Sequence, residues 1–183
     1  MSFVKSIPVS EESVSAVMQR YPDQGLPMAQ LTEIIMRTGV CQFSAKEREL
    51  IGAFASGTNA CIYCFNTHKV AAEAFGVDEN LLRSLLDDVD SSPVDGKLKP
   101  VLRYVKKLTE TPSRMVQADA NAIFDAGWDE DSFHFTVMIC ALFNFYNRLM
   151  DGYGVRNTAE FRLTAGRGLA DSGYGIVAEL MKQ

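Results

Sequence analysis

Hydrophobic and polar residues along the chain follow the period of α-helices, in short amphipathic segments separated by turn residues. Strand-like alternation is scarce, and β-branched residues do not cluster between turn signals. The pattern predicts helices over about residues 10–21, 27–39, 45–56, 79–88, 98–109, 113–126 and 132–153, and one or two more over 158–182. Between the third and fourth of these it predicts a further helix, which carries residues 61–72 and ends at Gly76. We therefore predict an all-α fold.

Helix boundaries are best defined near the middle of the first half of the chain. Ser44 and Glu47 have the spacing of a capping box, so a helix is expected to follow Ser44. Gly57 can end that helix in the left-handed conformation. Thr58 or Asn59 can then cap the next helix.

A polar stretch over about residues 87–99 is the best candidate for a linker. It divides the single domain that we expect over residues 1–183 into near halves, about 1–90 and about 100–183. Two matching helix ends lie 78 residues apart, Phe75-Gly76-Val77 and Tyr153-Gly154-Val155. They suggest two degenerate helical repeats, of which only the first keeps the candidate chemistry.

Composition and charge mainly exclude classes of function. The chain has 183 residues, with 18 Lys and Arg against 23 Asp and Glu, which gives a formal net charge of −5. Because no basic stripe stands out, we expect no nucleic-acid partner. No apolar run is long enough to span a membrane, and the first nine residues do not form a secretory signal, so we predict a cytoplasmic protein. A disulfide scaffold is then not expected, and catalytic or metal-binding thiols are favoured instead. Of the four cysteines, we expect Cys41 and Cys140 to be structural.

One group of residues carries recognisable chemistry: Glu49, followed by the segment Cys61-Ile62-Tyr63-Cys64-Phe65-Asn66-Thr67-His68. Positions 61, 64 and 68 lie along one helical face. Cys61 is expected in the first turn of the helix, where free backbone N–H groups and the helix dipole stabilise a thiolate. Cys64 and His68 lie one turn apart, within reach of a hydrogen bond between thiol and imidazole.

This arrangement suits the reduction of a peroxide, because the thiolate is the nucleophile that attacks a peroxide oxygen. A histidine titrates near neutral pH, so His68 can relay the thiol proton to the departing oxygen. Glu49 belongs to the preceding helix and can fold back to orient His68 or to hold a proton. The other thiol can resolve the sulfenic acid as a disulfide before it is oxidised further.

These residues resemble the AhpD-like alkylhydroperoxidases of the carboxymuconolactone decarboxylase superfamily. The stretch from Glu49-Leu50 through Asn59-Ala60-Cys61-Ile62-Tyr63-Cys64 to His68 is similar to the peroxidase-related branch of that superfamily. A later block, Phe143-Asn144-Phe145-Tyr146-Asn147-Arg148-Leu149-Met150-Asp151-Gly152, is similar to a second recurring block of the branch, so the resemblance covers about residues 10–160. Within this block we expect an ion pair between Arg148 and Asp151.

The resemblance implies an AhpD-like helical fold, a homo-oligomer, and thiol-dependent, peroxiredoxin-type reduction of hydroperoxides in antioxidant defence. It implies that Cys64 is the peroxidatic thiol, that Cys61 is the resolving thiol, and that His68 and Glu49 form the proton relay. Tyr63 stands where AhpD has a further histidine, and its phenol can donate a hydrogen bond. The implied partners are a hydroperoxide and a dithiol reductant, and the resemblance implies no metal or organic cofactor.

Four other interpretations stay open on the sequence. Cys61 and Cys64 could be inert buried thiols, since cysteine often packs as a small hydrophobic residue. A zinc site built on the C-x-x-C pair needs a further ligand, such as Cys41, Cys140 or His134. A redox sensor or structural oligomer would form the disulfide without turnover. A decarboxylase-like or isomerase-like enzyme would use Glu49 and His68 on a small carbonyl acid and would keep its activity without the thiols.

Overall fold

The computed structural model describes residues 2–7, 13–156 and 158–180, and every regular element within these ranges is helical. The α-helices are α1 (Val14–Arg20), α2 (Pro22–Glu33), α3 (Ala45–Thr58), α4 (Ile62–Ala74), α5 (Leu81–Asp87), α6 (Lys99–Glu110), α7 (Gln117–Asp125), α8 (Glu130–Tyr153), α9 (Ala159–Ser172) and α10 (Gly175–Leu180). The predicted all-α fold is confirmed. Over the described ranges, no helix combines the length and apolar character that crossing a membrane requires.

The second helix begins earlier than predicted, at Pro22 rather than near Pro27. Proline suits the first turn of a helix, and Pro22 occupies that turn while Pro27 lies inside α2. At its C-terminal end α2 continues as a π-helical turn, Ile34–Thr38, which carries Arg37 towards the site described below. The predicted beginning of the first helix, at residues 10–12, lies outside the described residues.

The helix α3 begins as predicted and ends later. The Ser44 side chain accepts a hydrogen bond from the Glu47 amide, and the Glu47 side chain accepts one from the Ser44 amide, which completes the capping box. The prediction that Gly57 ends this helix is wrong, because α3 continues to Thr58. Gly57 is instead a packing position, since a Cβ atom there would lie 2.7 Å from Leu86.

The turn between α3 and α4 sets the position of the thiol pair. Ala60 adopts the left-handed conformation with φ of 55°, which is uncommon for a residue with a side chain. Cys61 is the N-cap of α4, so the predicted caps, Thr58 and Asn59, are wrong. Cys61 therefore lies directly before the first turn, beside the unpaired amides of the helix. The predicted helix end at Gly76 is confirmed, with φ of 82°.

The helix α3 lies at the centre of the packing, with α4, α5, α6 and α8 around it. Among its buried residues are two charged side chains, Arg48 and Glu49. The Arg48 guanidinium donates to backbone carbonyls of Ile35, Gly39 and Phe43, so it fixes the chain that follows the π-helical turn. The helix α4 packs against α9 as well as α3, which encloses the thiols between several helices.

The second half of the chain largely follows the predicted order of helices. Val89 and Val94, in the predicted linker, are buried and belong to the hydrophobic core. The long helix α8 begins two residues before the predicted start, because Asp129 caps it, and it ends at Gly154 with φ of 68°. The C-terminal segment forms the helices α9 and α10, as predicted. The division into two repeats stays a prediction.

Candidate active site

A cavity of about 220 Å³ lies between α4, α8 and the C-terminal helices. Most of its wall is aliphatic or aromatic, including Val14, Met18, Phe143, Met150, Phe161, Leu169 and Val177. Among the few polar groups in the wall are those of Cys64, His68 and Tyr63. An apolar cavity with a few converging polar groups is the usual form of a site for a small organic molecule.

The two thiols occupy different positions relative to this cavity. Cys64 lines the cavity, although its own exposure is only 3%. Cys61 is fully buried outside the lining, and its Sγ lies 3.8 Å from the carbonyl oxygen of Asn147. Both thiols are free, with no disulfide between them. A molecule in the cavity therefore meets Cys64 before Cys61.

The thiol that lines the cavity is the less acidic of the two. The pKa of Cys61 is lowered, chiefly because the Cys64 side chain hydrogen-bonds to it and also because the Cys64 amide does, and this outweighs the opposing effects of burial and Asp151. The same hydrogen bond with Cys61, together with burial, raises the pKa of Cys64 well above its ordinary value. The first negative charge of the pair therefore lies on Cys61, and the proton lies on Cys64.

His68 and Glu49 form a buried pair beside the cavity. The Nδ1 atom of His68 lies 2.8 Å from Oε2 of Glu49, whose side chain is fully buried. Burial alone raises the pKa of Glu49, but the hydrogen bond and charge of His68, together with the Arg37 guanidinium, hold that pKa below its ordinary value. An ionised Glu49 accepts the proton of Nδ1, which leaves the Nε2 lone pair as the base in the neutral ring.

The predicted hydrogen bond between Cys64 and His68 is not formed within the described ranges. Both side chains line the same cavity, one helical turn apart on α4. A proton that moves between them therefore needs a bridging water or a bound molecule.

Arg37, which lies in the π-helical turn, was not predicted from the sequence as a site residue. Its Nη2 atom donates to Oε1 of Glu49 at 2.6 Å and to the carbonyl of Leu169 at 2.9 Å. The guanidinium therefore neutralises a buried carboxylate and joins α9 to the centre of the molecule. An arginine directly after the apolar run from Ile34 to Met36 was the available signal.

Tyr174, which lies between α9 and α10, was not predicted from the sequence either. Its hydroxyl donates to Oε1 of Glu49 at 2.8 Å and lies 3.1 Å from Nδ1 of His68. Burial, followed by the charge of Glu49, raises the pKa of Tyr174 well above its ordinary value. No pattern in the sequence connects Tyr174 to Glu49, because the two residues are 125 positions apart.

Tyr63 lines the cavity and is anchored at its hydroxyl group. The phenolic oxygen accepts a hydrogen bond of 2.9 Å from the backbone amide of Val14. Burial raises the pKa of Tyr63, so the phenol keeps its proton. Tyr63 can therefore donate a hydrogen bond to a molecule in the cavity but does not serve as a base.

A polar network on α8 supports the end of α4 that carries the thiols. Asn147 is buried, accepts a hydrogen bond from Asn59 and donates one to Ser56. The expected ion pair between Arg148 and Asp151 is wrong. Arg148 instead donates to Asn144, one helical turn earlier, and Asp151 pairs with Arg156 at 2.9 Å.

The residues considered as further zinc ligands lie in other environments. Cys41 accepts a hydrogen bond from Arg48, and Cys140 lies 3.4 Å from the hydroxyl of Thr109. His134 is exposed on α8. Across the described ranges, no group of three or more His, Cys, Asp or Glu side chains is arranged to hold a metal ion.

Comparison of the sequence with family models and with curated proteins gives no match. Comparison of the structure gives matches to solved structures. An uncharacterized peroxidase-related protein from Silicibacter sp. TM1040 superimposes with a TM-score of 0.75 at 22% identity, covering 81% of this chain and 78% of that protein.

Two further structures superimpose over a similar part of the chain. The alkylhydroperoxidase AhpD core of an uncharacterized peroxidase-related protein from Ralstonia eutropha JMP134 matches with a TM-score of 0.74 at 19% identity, over 83% of this chain and 79% of that one. A protein of unknown function from Agrobacterium tumefaciens, a candidate antioxidant defence protein AhpD, matches with a TM-score of 0.65 at 18% identity, over 78% and 96% of the two chains. The chain therefore has the AhpD-like fold that these peroxidase-related structures share.

Proposed function

We propose that this protein is a thiol-dependent hydroperoxide reductase, an alkylhydroperoxidase-like oxidoreductase of antioxidant defence. The observation that carries the proposal is the free thiol of Cys64 in the wall of an apolar cavity, with Cys61 directly behind it and His68 beside it. The likeness to peroxidase-related and AhpD structures supports the same chemistry.

The first step is attack of Cys64 on the hydroperoxide. The Cys61 thiolate takes the proton of Cys64, which it already faces, and leaves Cys64 as the thiolate. Cys64 then displaces the terminal oxygen: an S–O bond forms, the O–O bond breaks, and Nε2 of His68 gives the departing alkoxide the proton that it took up when Cys61 ionised. The products are an alcohol and the sulfenic acid of Cys64.

The second step forms the disulfide. Cys61 now carries the proton, and its sulfur attacks the sulfenic acid of Cys64, one turn away on α4. The S–S bond forms, the S–O bond breaks, and one water molecule leaves. Because Cys61 is buried next to Cys64, it reacts with the sulfenic acid of Cys64 before a second molecule of oxidant does.

The third step restores the thiols. A dithiol reductant attacks Cys64, forms a mixed disulfide and then closes its own disulfide, which releases both protein thiols. Two electrons and two protons pass from the dithiol to the Cys61–Cys64 pair, so the cycle is balanced without a metal or organic cofactor.

The direct test is consumption of cumene hydroperoxide with dithiothreitol as the electron donor. Cys64→Ser is expected to reduce the rate to that of the uncatalysed reaction. In the Cys61→Ser variant, Cys64 is expected to be oxidised once by the hydroperoxide, but efficient turnover should be lost. The matched control is Cys41→Ser, which removes a thiol outside the cavity and should keep the wild-type rate.

The same experiment separates the other interpretations. Hydroperoxide consumption that survives Cys64→Ser would contradict the thiol mechanism and favour chemistry on Glu49 and His68 alone. A redox sensor would oxidise its thiols once, change its native mass and consume no excess of hydroperoxide. Homo-oligomeric assembly stays a prediction that native mass spectrometry of the reduced protein tests directly.

A further inference from the structure

We propose that Tyr174 is a positioning residue of the proton relay, which holds the Glu49 carboxylate in the orientation and ionised form that His68 requires. Only the expected effect of Tyr174 on the reaction rate rests on the proposed function. The effect of Tyr174 on the ionisation of Glu49 does not depend on any substrate.

The contacts of Tyr174 place its hydroxyl at the centre of the relay. Its oxygen is 2.8 Å from Oε1 of Glu49 and 3.1 Å from Nδ1 of His68. The ring lies nearly parallel to that of His68, with centroids 6.1 Å apart and an interplanar angle of 14°, and the Arg37 guanidinium lies 5.0 Å from its centroid. Arg37 therefore covers the ring while the hydroxyl points at the carboxylate.

The backbone around Tyr174 is held by a separate carboxylate. Oε2 of Glu33, on α2, accepts hydrogen bonds from the amides of Tyr174 at 2.6 Å and Gly175 at 2.9 Å. Gly173, which precedes them, has φ of 68° and ψ of −162°, a conformation that only glycine adopts readily. These features fix the turn between α9 and α10 so that Tyr174 points inward.

The direction of the hydrogen bonds explains the effect on Glu49. Arg37 and Tyr174 donate to one oxygen, and His68 donates to the other. Each donor favours the carboxylate over the carboxylic acid, so each lowers the pKa of Glu49. Two other titratable groups lie near Tyr174: Glu33 binds its backbone amide, and Tyr146 contributes to raising its pKa.

The test is Tyr174→Phe, which keeps the ring and its packing and removes the hydroxyl. Without this donor the pKa of Glu49 should rise, on the order of one pH unit for a lost hydrogen bond to a charged group. The acid limb of the pH profile for kcat/KM should move to higher pH by the same amount. At pH values below that limb, kcat/KM should be roughly tenfold lower than in the wild type. Tyr104→Phe, in a tyrosine on α6 that packs on Phe133, should leave the profile unchanged.

A measurement without substrate keeps the proposal separate from the proposed function. A ¹³C NMR titration of the Glu49 carboxyl carbon should show the same upward shift in Tyr174→Phe, even if the protein reduces no hydroperoxide. Glu33→Gln should shift it in the same direction, because it loosens the turn without changing the tyrosine. An unchanged Glu49 titration in folded Tyr174→Phe overturns the proposal, and so does an upward shift of equal size in Tyr104→Phe.

Discussion

At the scale of single residues, the acidity of each thiol depends on the other. Cys61 lies at the N-cap of α4 and receives the hydrogen bond of Cys64, so its thiolate is stabilised, whereas Cys64 keeps the proton. In the proposed mechanism the reaction then begins with a proton transfer from Cys64 to Cys61. The more acidic thiol is the one outside the cavity lining, so an oxidant in the cavity does not meet it first.

This interpretation predicts the effect of Cys61→Ala on Cys64. The substitution removes the hydrogen bond that contributes most to raising the pKa of Cys64, so Cys64 should form its thiolate at a lower pH than in the wild type. The measurement is the pH dependence of alkylation at Cys64, followed by peptide mass spectrometry. Cys140→Ala, in a thiol bonded to Thr109, should leave that dependence unchanged. A shift of Cys64 to higher pH would refute the assignment of the charge.

A second prediction concerns stability and pH at Glu49. Because the folded state lowers the pKa of this carboxyl, its ionised form stabilises the protein above the pKa of the unfolded chain and loses that effect as pH falls through the folded pKa. Glu49→Gln leaves Arg37 without its buried partner and should lower the free energy of unfolding by about 3 kcal/mol near neutral pH.

The measurement is urea denaturation of both proteins across the acid range. The difference in free energy between wild type and Glu49→Gln should shrink as pH falls. Glu79→Gln, in an exposed side chain, should follow the wild type at every pH. A Glu49→Gln difference that stays constant or grows in acid would contradict an ionised Glu49.

The site residues that the sequence predicted share one helix or the helix before it. Cys61, Cys64 and His68 follow from helical spacing, and Glu49 from its distance to the pair. Arg37 and Tyr174 could not be found this way, since their contacts with Glu49 depend on how separate elements pack. Local periodicity carries no information on such contacts.

At the scale of elements, the crossing of α4 and α9 holds one wall of the cavity. Gly166 on α9 lies against α4, where an added Cβ would be 2.6 Å from the carbonyl oxygen of Thr67 and 2.6 Å from Cβ of Val70. The backbone oxygen cannot move away easily. The closeness of the two helices therefore depends on the absence of a side chain at this position.

A matched pair of substitutions tests this crossing. Gly166→Ala should lower the free energy of unfolding by about 1–3 kcal/mol, because it forces the helices apart. Gly168→Ala, on the same helix, meets no atom within 4 Å and should be neutral or stabilising by up to about 1 kcal/mol, since alanine favours the helix. Chemical denaturation of the two variants gives the comparison. Equal effects would show that the crossing does not depend on Gly166.

The helix boundaries show where sequence patterns were sufficient. The capping box at Ser44 was identified because both partners lie within four residues. Gly57 was taken for a helix end, but the missing side chain there makes room for Leu86, a contact with a distant helix. Cys61 was not considered as a cap because cysteine is an unusual residue in that role.

At the scale of the whole molecule, the cavity depends on elements from both ends of the chain. The helices α1 and α2 supply part of its wall, and α9 and α10 supply another part. The all-α class and the order of helices could be predicted from periodicity. The enclosure of the thiols could not, because it results from the packing of the C-terminal helices over α4.

The position of Cys61 outside the cavity lining has a kinetic consequence. Cys64 lines the cavity and Cys61 does not, so in the proposed cycle oxidant and reductant use the same entrance and cannot be bound together. Turnover should then be of the ping-pong type, with parallel lines in double-reciprocal plots at different concentrations of the dithiol. A high concentration of either reagent should inhibit, because that reagent then occupies the cavity in the form of the protein that should react with the other one.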